Sequence, residues 1–144
     1  MNQLQQLAAR FPDSFVHDNP SGYGDYIQHA VIRQRLLSVV GPYEQEVTQV
    51  IYDDTGNGRI VTGVVLKLTV EIDGKTVSVE EVGDVEKPSN WKTNGARMKD
   101  AVSDAVKRCA MALGVGLHLW SQINNTDEYF LDKQLAKDIT KDNE

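Results

Sequence analysis

The stretch Arg59-Ile-Val-Thr-Gly-Val-Val-Leu-Lys-Leu-Thr-Val-Glu-Ile-Asp-Gly-Lys-Thr-Val-Ser-Val-Glu-Glu-Val82 reads as a β-hairpin. Ile60, Val64, Leu66, Leu68, Val70 and Ile72 are expected on one side, the period of two that a half-buried strand requires. Asp73-Gly74 is a dipeptide favoured in type I′ turns, where both central residues need positive φ, and it returns the chain through Lys75 to Val82. Upstream, Glu44 to Tyr52 is another β-rich run, closed by the turn cluster Asp53-Asp-Thr-Gly-Asn-Gly58. The result is an antiparallel meander of three strands. Its middle strand, about fifteen residues, is long against a usual length of about five or six. A far end that pairs beyond the chain's own hairpin would fit side-by-side assembly.

Downstream, Lys99-Asp-Ala-Val-Ser-Asp-Ala-Val-Lys-Arg-Cys-Ala-Met-Ala-Leu-Gly114 changes period. Met98, Ala101, Val102, Ala105, Val106, Cys109 and Leu113 gather on one side of a helix that begins near Ala96. Arg97, Asp100, Asp104, Lys107 and Arg108 gather on the other, and Gly114 supplies a left-handed stop. On spacing alone the polar face is a solvated one, with Asp104 paired to Lys107 and Arg108. Between sheet and helix, Gly83 to Asn94 is a loop that carries Lys87, Trp91 and Lys92. Trp91 reads at least as readily as a core or loop-anchoring tryptophan as it does as a residue that stacks on a base.

Before the sheet, Leu4, Leu7, Ala8 and Phe11 space like a short helix ended by Pro12. Asp18 to Gly24 is a turn-rich connector. A second helix is predicted from about Asp25 to Val40, apolar on more than one side and ended by Gly41-Pro42, as suits packing on a sheet and against another subunit. Leu131, Leu135 and Ile139 predict a short terminal helix. The fold class is α+β: a three-stranded antiparallel meander followed by a long amphipathic helix (a β-β-β-α core), with an N-terminal helix packed on the sheet. Residues 1–120 are expected to form the core domain and 121–144 an acidic helix or tail.

The chain of 144 residues is 40% hydrophobic, enough to build a core for one domain. Its single cysteine, Cys109, lies on the apolar helix face and reads as a small core residue. No apolar run reaches membrane-spanning length, and the polar start Met1-Asn-Gln-Leu-Gln-Gln is not the pattern of a secretory signal. A soluble, cytoplasmic protein without membrane partners is expected. The net charge of −6 argues against general stickiness for nucleic acid, but the charge is uneven. Residues 85–108 carry six basic residues against three acids, and residues 121–144 three lysines against six acids. The basic side chains therefore concentrate around one helix.

Motifs for enzymatic chemistry do not survive inspection. Gly74-Lys75-Thr76 resembles the end of a phosphate loop, but Thr69 stands where the earlier glycine belongs and the tripeptide sits on a hairpin. The Asp53 turn departs from a calcium loop, with Thr55 at position three and Val64 at position twelve, where a bidentate glutamate is needed. Glu80 and Glu81 point to opposite faces of a strand, which weakens a metal-dependent nuclease site with Asp84 and Glu86. His17, His29 and His118 have no ligand spacing, and neither Ser103 nor Cys109 has a base nearby in sequence. No catalytic residue, metal or cofactor is expected.

Two segments carry a family likeness. Ser103-Asp-Ala-Val-Lys-Arg-Cys-Ala-Met-Ala-Leu-Gly-Val-Gly-Leu-His-Leu-Trp120 resembles the signature helix of the Rad-fifty-two superfamily of single-strand annealing proteins. Tyr26-Ile-Gln-His-Ala-Val-Ile-Arg-Gln-Arg-Leu-Leu-Ser-Val-Val-Gly-Pro42 resembles the family's first helix, and its Gly-Pro ending is like that of phage members. The resemblance implies ATP-independent binding of single-stranded DNA, annealing of complementary strands in recombination and repair, and a ring-shaped homo-oligomer. It implies a bacterial cytoplasm as the location if the chain is phage-encoded, with an exonuclease or single-strand binding protein of host or phage as a further partner. Lys107 and Arg108 match the Lys-Arg pair that contributes to the family's DNA groove. Charge and position add Arg97, Lys99 and Lys92, and Arg33 and Arg35 lie in the first helix near Val31, where eukaryotic members have a basic residue. Met111 replaces a further arginine of those members, which implies a shallower site. Two other readings stay open: a single-strand coating protein without annealing activity, and an interaction module that does not touch DNA. An aromatic content of 7%, with Tyr52 the one clear strand aromatic, disfavours a stacking-based coat.

Overall fold

The computed structural model describes residues 2–18, 25–56, 58–122 and 127–133. Along the chain these form α1 (Gln3–Ala8), β1 (Val16–Asp18), β2 (Asp25–Ile27), α2 (His29–Val40), β3 (Glu44–Thr55), β4 (Gly58–Ile72), β5 (Lys75–Asp84) and α3 (Asn94–Ala112). Short 3-10 turns occupy Asp13–Phe15, Pro88–Asn90 and Leu117–Gln122. The fold is α+β, with the three-stranded antiparallel sheet in the order β3-β4-β5 and the long helix following it. The chain divides into two compact units. One draws its described residues from Met1–Pro42, Glu71–Lys75 and Ala110–Glu144, the other from Tyr43–Val70 and Thr76–Cys109.

In the second unit, β3 runs antiparallel to β4 from the pair Glu44–Thr69 to the pair Thr55–Gly58. Two extra residues interrupt the ladder. Val47 pairs with Leu66 and Gln49 with Val65, leaving Thr48 unpaired in β3; Ile51 pairs with Gly63 and Tyr52 with Val61, leaving Thr62 unpaired in β4. Such a bulge changes the phase of side-chain alternation. Val64, Leu66, Leu68 and Val70 are buried as the alternation predicts, but beyond Thr62 the buried residue is Val61 and Ile60 is only half-buried. Each fully buried valine or leucine contributes roughly 1.5–3 kcal/mol.

The part of α3 within this unit lies against that sheet. Gly83 makes the close approach feasible: a β-carbon there would stand 2.2 Å from the Ala101 carbonyl oxygen and 2.5 Å from the Ala105 nitrogen. The Cys109 Sγ lies 3.6 Å from the Leu66 carbonyl oxygen and 3.7 Å from that of Val79. Burial, aided by the charge of Glu81, pushes the Cys109 thiol up to about 11, which suits a core residue and not a nucleophile.

In the first unit, β1 and β2 form a two-stranded ladder from Val16–Ile27 to Asp18–Asp25. The helix predicted from Asp25 therefore starts only at His29. A cross-strand partner seven or more residues away overrides the local helical pattern at Asp25–Ile27. The turn between β4 and β5 is as predicted, with φ of 54° at Asp73 and 77° at Gly74. The C-terminus of α3 also ends as predicted. Gly114 has φ of 100°, its N–H donates to Met111, and the Val115 N–H donates to Ala110, which is a Schellman closure.

A buried polar cluster ties the described C-terminal residues of this unit to α1. The Tyr129 hydroxyl donates to the Ala8 carbonyl, Gln5 Nε2 donates to the Asp132 carbonyl at 2.6 Å, and Arg10 pairs with the Asp132 carboxylate at 2.6 Å. Residues 131–133 are helical; the rest of the predicted terminal helix, with Leu135 and Ile139, lies outside the described residues.

Candidate nucleic-acid interface

The N-terminus of α3 is built from three polar side chains. Thr93 Oγ1 accepts the Ala96 N–H at 3.1 Å, an N-cap that satisfies one orphan donor of the first turn. Asn94 joins helix to strand: its Oδ1 accepts the Val61 N–H at 3.0 Å and its Nδ2 donates to the Arg59 carbonyl at 3.2 Å. Arg97 donates through Nε to the Pro88 carbonyl (2.9 Å), through Nη1 to Asn94 Oδ1 (2.9 Å) and through Nη2 to the Trp91 carbonyl (2.6 Å). Its guanidinium holds the turn before the helix.

Further along, Asp100 and Asp104 face the chain leaving β5. Asp100 Oδ2 accepts the Glu86 N–H at 3.4 Å, and Asp104 Oδ2 accepts the Asp84 N–H at 2.9 Å. The same Asp104 oxygen accepts from Arg108 Nε at 3.0 Å. The two terminal nitrogens of Arg108 have no hydrogen-bond partner among the described residues, and the side chain is exposed. A guanidinium held by Nε presents a paired N–H edge of the kind that fits two phosphate oxygens.

Lys107 is half-buried beside this pair. Burial lowers its ammonium below the ordinary lysine range; Asp104 opposes that shift and Arg108 adds to it. Lys99, two turns before Lys107, and Lys92 in the preceding loop are exposed. The structure thus places Lys92, Arg97, Lys99, Lys107 and Arg108 in one unit, on α3 or the loop that leads into it.

Arg33 and Arg35 belong to the other unit. Arg33 Nε donates to His29 Nε2 at 2.6 Å. Arg35 Nη1 lies 3.1, 3.1 and 2.9 Å from the carbonyl oxygens of Gln6, Leu7 and Ala9, and its guanidinium sits 3.9 Å over the Phe11 ring. It caps the C-terminus of α1, where the Gln6 carbonyl also accepts the Ala9 N–H at 3.4 Å. Spacing could not show this, because the carbonyls lie 26 to 29 residues away in sequence.

What sequence reasoning passed over is the hold of Asp100 and Asp104 on backbone N–H groups of Glu86 and Asp84. Both belong to the polar stripe, but their backbone partners come from another element. Their i, i+4 pattern gives no sign of that role. Among the described residues no group of three or more His, Cys, Asp and Glu side chains could hold a metal ion. No helix among them is long and apolar enough to cross a membrane.

An antiparallel sheet backed by a helix, with cations and clamped carboxylates along that helix, defines a β-β-β-α protein with a basic helical face. The chain belongs to the Rad52/22 family: the family model described as Rad52/22 family double-strand break repair protein matches residues 5–136. No curated relative matches the chain. Membership gives the protein a recombination and repair role.

Proposed function

We propose that the polar face of α3 binds the sugar-phosphate backbone of single-stranded DNA and that the protein anneals complementary strands as a homo-oligomeric ring, without nucleotide or metal. The observation that carries this reading is Arg108, fixed through Nε by a carboxylate that is itself fixed by a backbone N–H, with its terminal nitrogens unpartnered among the described residues. Lys107 beside it and Lys99 two turns earlier extend the cationic face, and Lys92 adds charge in the loop. Arg97 serves the loop's geometry, and Arg35 the geometry of α1. Phosphate contacts of this kind are independent of sequence, so bases remain free to find their complements.

Assembly is supported by the sheet. β3 and β5 are both edges, β3 is exposed along most of its length, and Val47 and Val82 are exposed on the two edges. Unpaired strand edges of this length invite pairing with another chain.

The test is fluorescence anisotropy of a labelled single-stranded oligonucleotide at two salt concentrations, with annealing followed in parallel. The double variant Lys107→Ala/Arg108→Ala should bind every sequence more weakly. Its logarithmic salt slope should flatten by about 0.7 for each phosphate that the variant no longer neutralises. Unchanged affinity and slope would remove α3 from the interface. Binding without faster annealing would make the protein a coating protein.

A further inference from the structure

We propose that Trp91 is a stacking platform for an unpaired nucleobase, set between two lysines that meet the flanking phosphates. This rests on the reading of α3 as a phosphate-binding face.

Trp91 is 41% exposed, so its ring is open to a ligand. The backbone that carries it is firmly held. The Asn90 N–H donates to Lys87 at 3.0 Å and the Trp91 N–H to Pro88 at 3.3 Å, forming the turn. Arg97 grips the carbonyls of both Pro88 and Trp91, and Asn94 connects Arg97 to β4. An exposed tryptophan on a floppy loop would lose freedom on binding; this one has already lost its backbone freedom, so stacking costs less entropy.

The neighbouring charges identify the occupant. Lys87 and Lys92 are exposed, and neither ammonium has a hydrogen-bond or ion-pair partner among the described residues. An exposed ring with one lysine directly after it in sequence and another opening the turn that leads to it suits a base with a phosphate on each side. The other exposed aromatics have different settings: the Tyr52 ring is already covered by the Arg59 guanidinium at 4.1 Å, and Phe15 has Asp13 and Asp18 near it in sequence and no lysine. Trp120 follows His118 and Leu119 with no lysine beside it, and Phe130 lies between acids Glu128 and Asp132. Duplex bases already stack on each other, so only an unpaired base offers its face. Stacking on that face leaves the Watson–Crick edge open, which annealing requires.

The experiment uses the full chain carrying Trp120→Phe, so that Trp91 is the only tryptophan fluorophore. It is titrated with a thymidine homo-oligonucleotide and with an abasic oligonucleotide of equal length. The thymidine oligomer should quench Trp91, and the abasic one should bind without quenching. Trp91→Ala should weaken thymidine binding by about five- to a hundred-fold, leave abasic binding unchanged, and be largely rescued by Trp91→Phe. Equal binding of both oligomers, or equal weakening of both by Trp91→Ala, overturns the proposal while the α3 reading stands. Binding of neither oligomer overturns both. A fall in assembly mass on Trp91→Ala would make a second copy of the chain the occupant of Trp91, and overturns the proposal as well.

Discussion

Arg35 and Arg108 are the same side chain in two regions of the molecule, and they do opposite things with it. Arg35 directs its guanidinium at carbonyls that end α1 and covers the Phe11 ring. Arg108 uses only Nε, on Asp104, and leaves its outer edge to solvent. Around Arg35, the charges of Arg10, Asp132 and the buried ring of His118 are absorbed by packing. Around Arg108, Lys99 is exposed and Lys107 and Asp104 are only half-buried. A positive charge in a sequence is an offer of binding only when its donors are not already used, and that is decided by elements distant in the chain.

The largest expected contrast is in stability. Arg35→Ala leaves the carbonyls at the end of α1 without their cap and one face of Phe11 bare, so a loss of about 3 kcal/mol is expected. Arg35→Lys should recover little of it, since a lysine lacks the planar fork. Arg108→Ala should cost under about 1 kcal/mol, as for other exposed i, i+4 pairs. Urea melts of the three variants check this. Equal losses at both positions would dissolve the contrast.

Acid should act on the Arg35 region in the same way. His118 is fully buried, and its Nε2 lies 3.4 Å from the Phe11 nitrogen. Burial lowers its pKa to about 4, helped by Arg10 and Arg35 and opposed by Asp132. The unfolded chain binds this proton near pH 6.5 and the folded chain does not. The contribution is therefore complete above pH 6.5 and falls as the pH drops toward about 4, by up to about 3 kcal/mol. Melting temperature against pH should show that slope, and His118→Gln should flatten it.

In the Arg108 region the response is in binding. Lys107 has a lowered pKa, so its charge should fade at lower pH than an ordinary lysine's. Affinity for single-stranded DNA should fall early on the alkaline side. Lys107→Arg should move that fall upward, and anisotropy across pH 8 to 11 (roughly the lysine range) measures it.

The smallest effect sharpens the contrast most. Asp104→Asn retains an acceptor for the Asp84 N–H but removes the charge that partly neutralises Arg108. Affinity should rise by a few-fold at low salt with a steeper salt slope, at a stability cost under about 1 kcal/mol. Weaker binding would mean that orientation of Arg108 outweighs its charge.

Much of the fold was legible because its signals are local. The hairpin at Asp73-Gly74, the apolar side of α3 and the stop at Gly114 each depend on neighbours within a few residues. Where distant partners decide, the reading slips. Thr62 is extra only by comparison with β3, so Ile60 was expected where Val61 is buried. Asp25–Ile27 is a strand only because Val16–Asp18 lies beside it. The basic residues of α3 were legible from period and charge. The hold of Asp104 on Arg108 was visible as an i, i+4 pair, but its hold on the Asp84 N–H was not, since that partner sits 20 residues away.

One oxygen of Asp104 joins the last residue of a strand to a cation on a helix. That shared atom makes the two ends report on each other. Whenever the end of β5 frays, the carboxylate loses its mooring and Arg108 wanders; a phosphate that captures Arg108 should in turn slow the fraying, since linkage between two sites is reciprocal. Hydrogen exchange at the Asp84 amide would then serve as a gauge of DNA occupancy, read from a strand end that need not touch the nucleic acid.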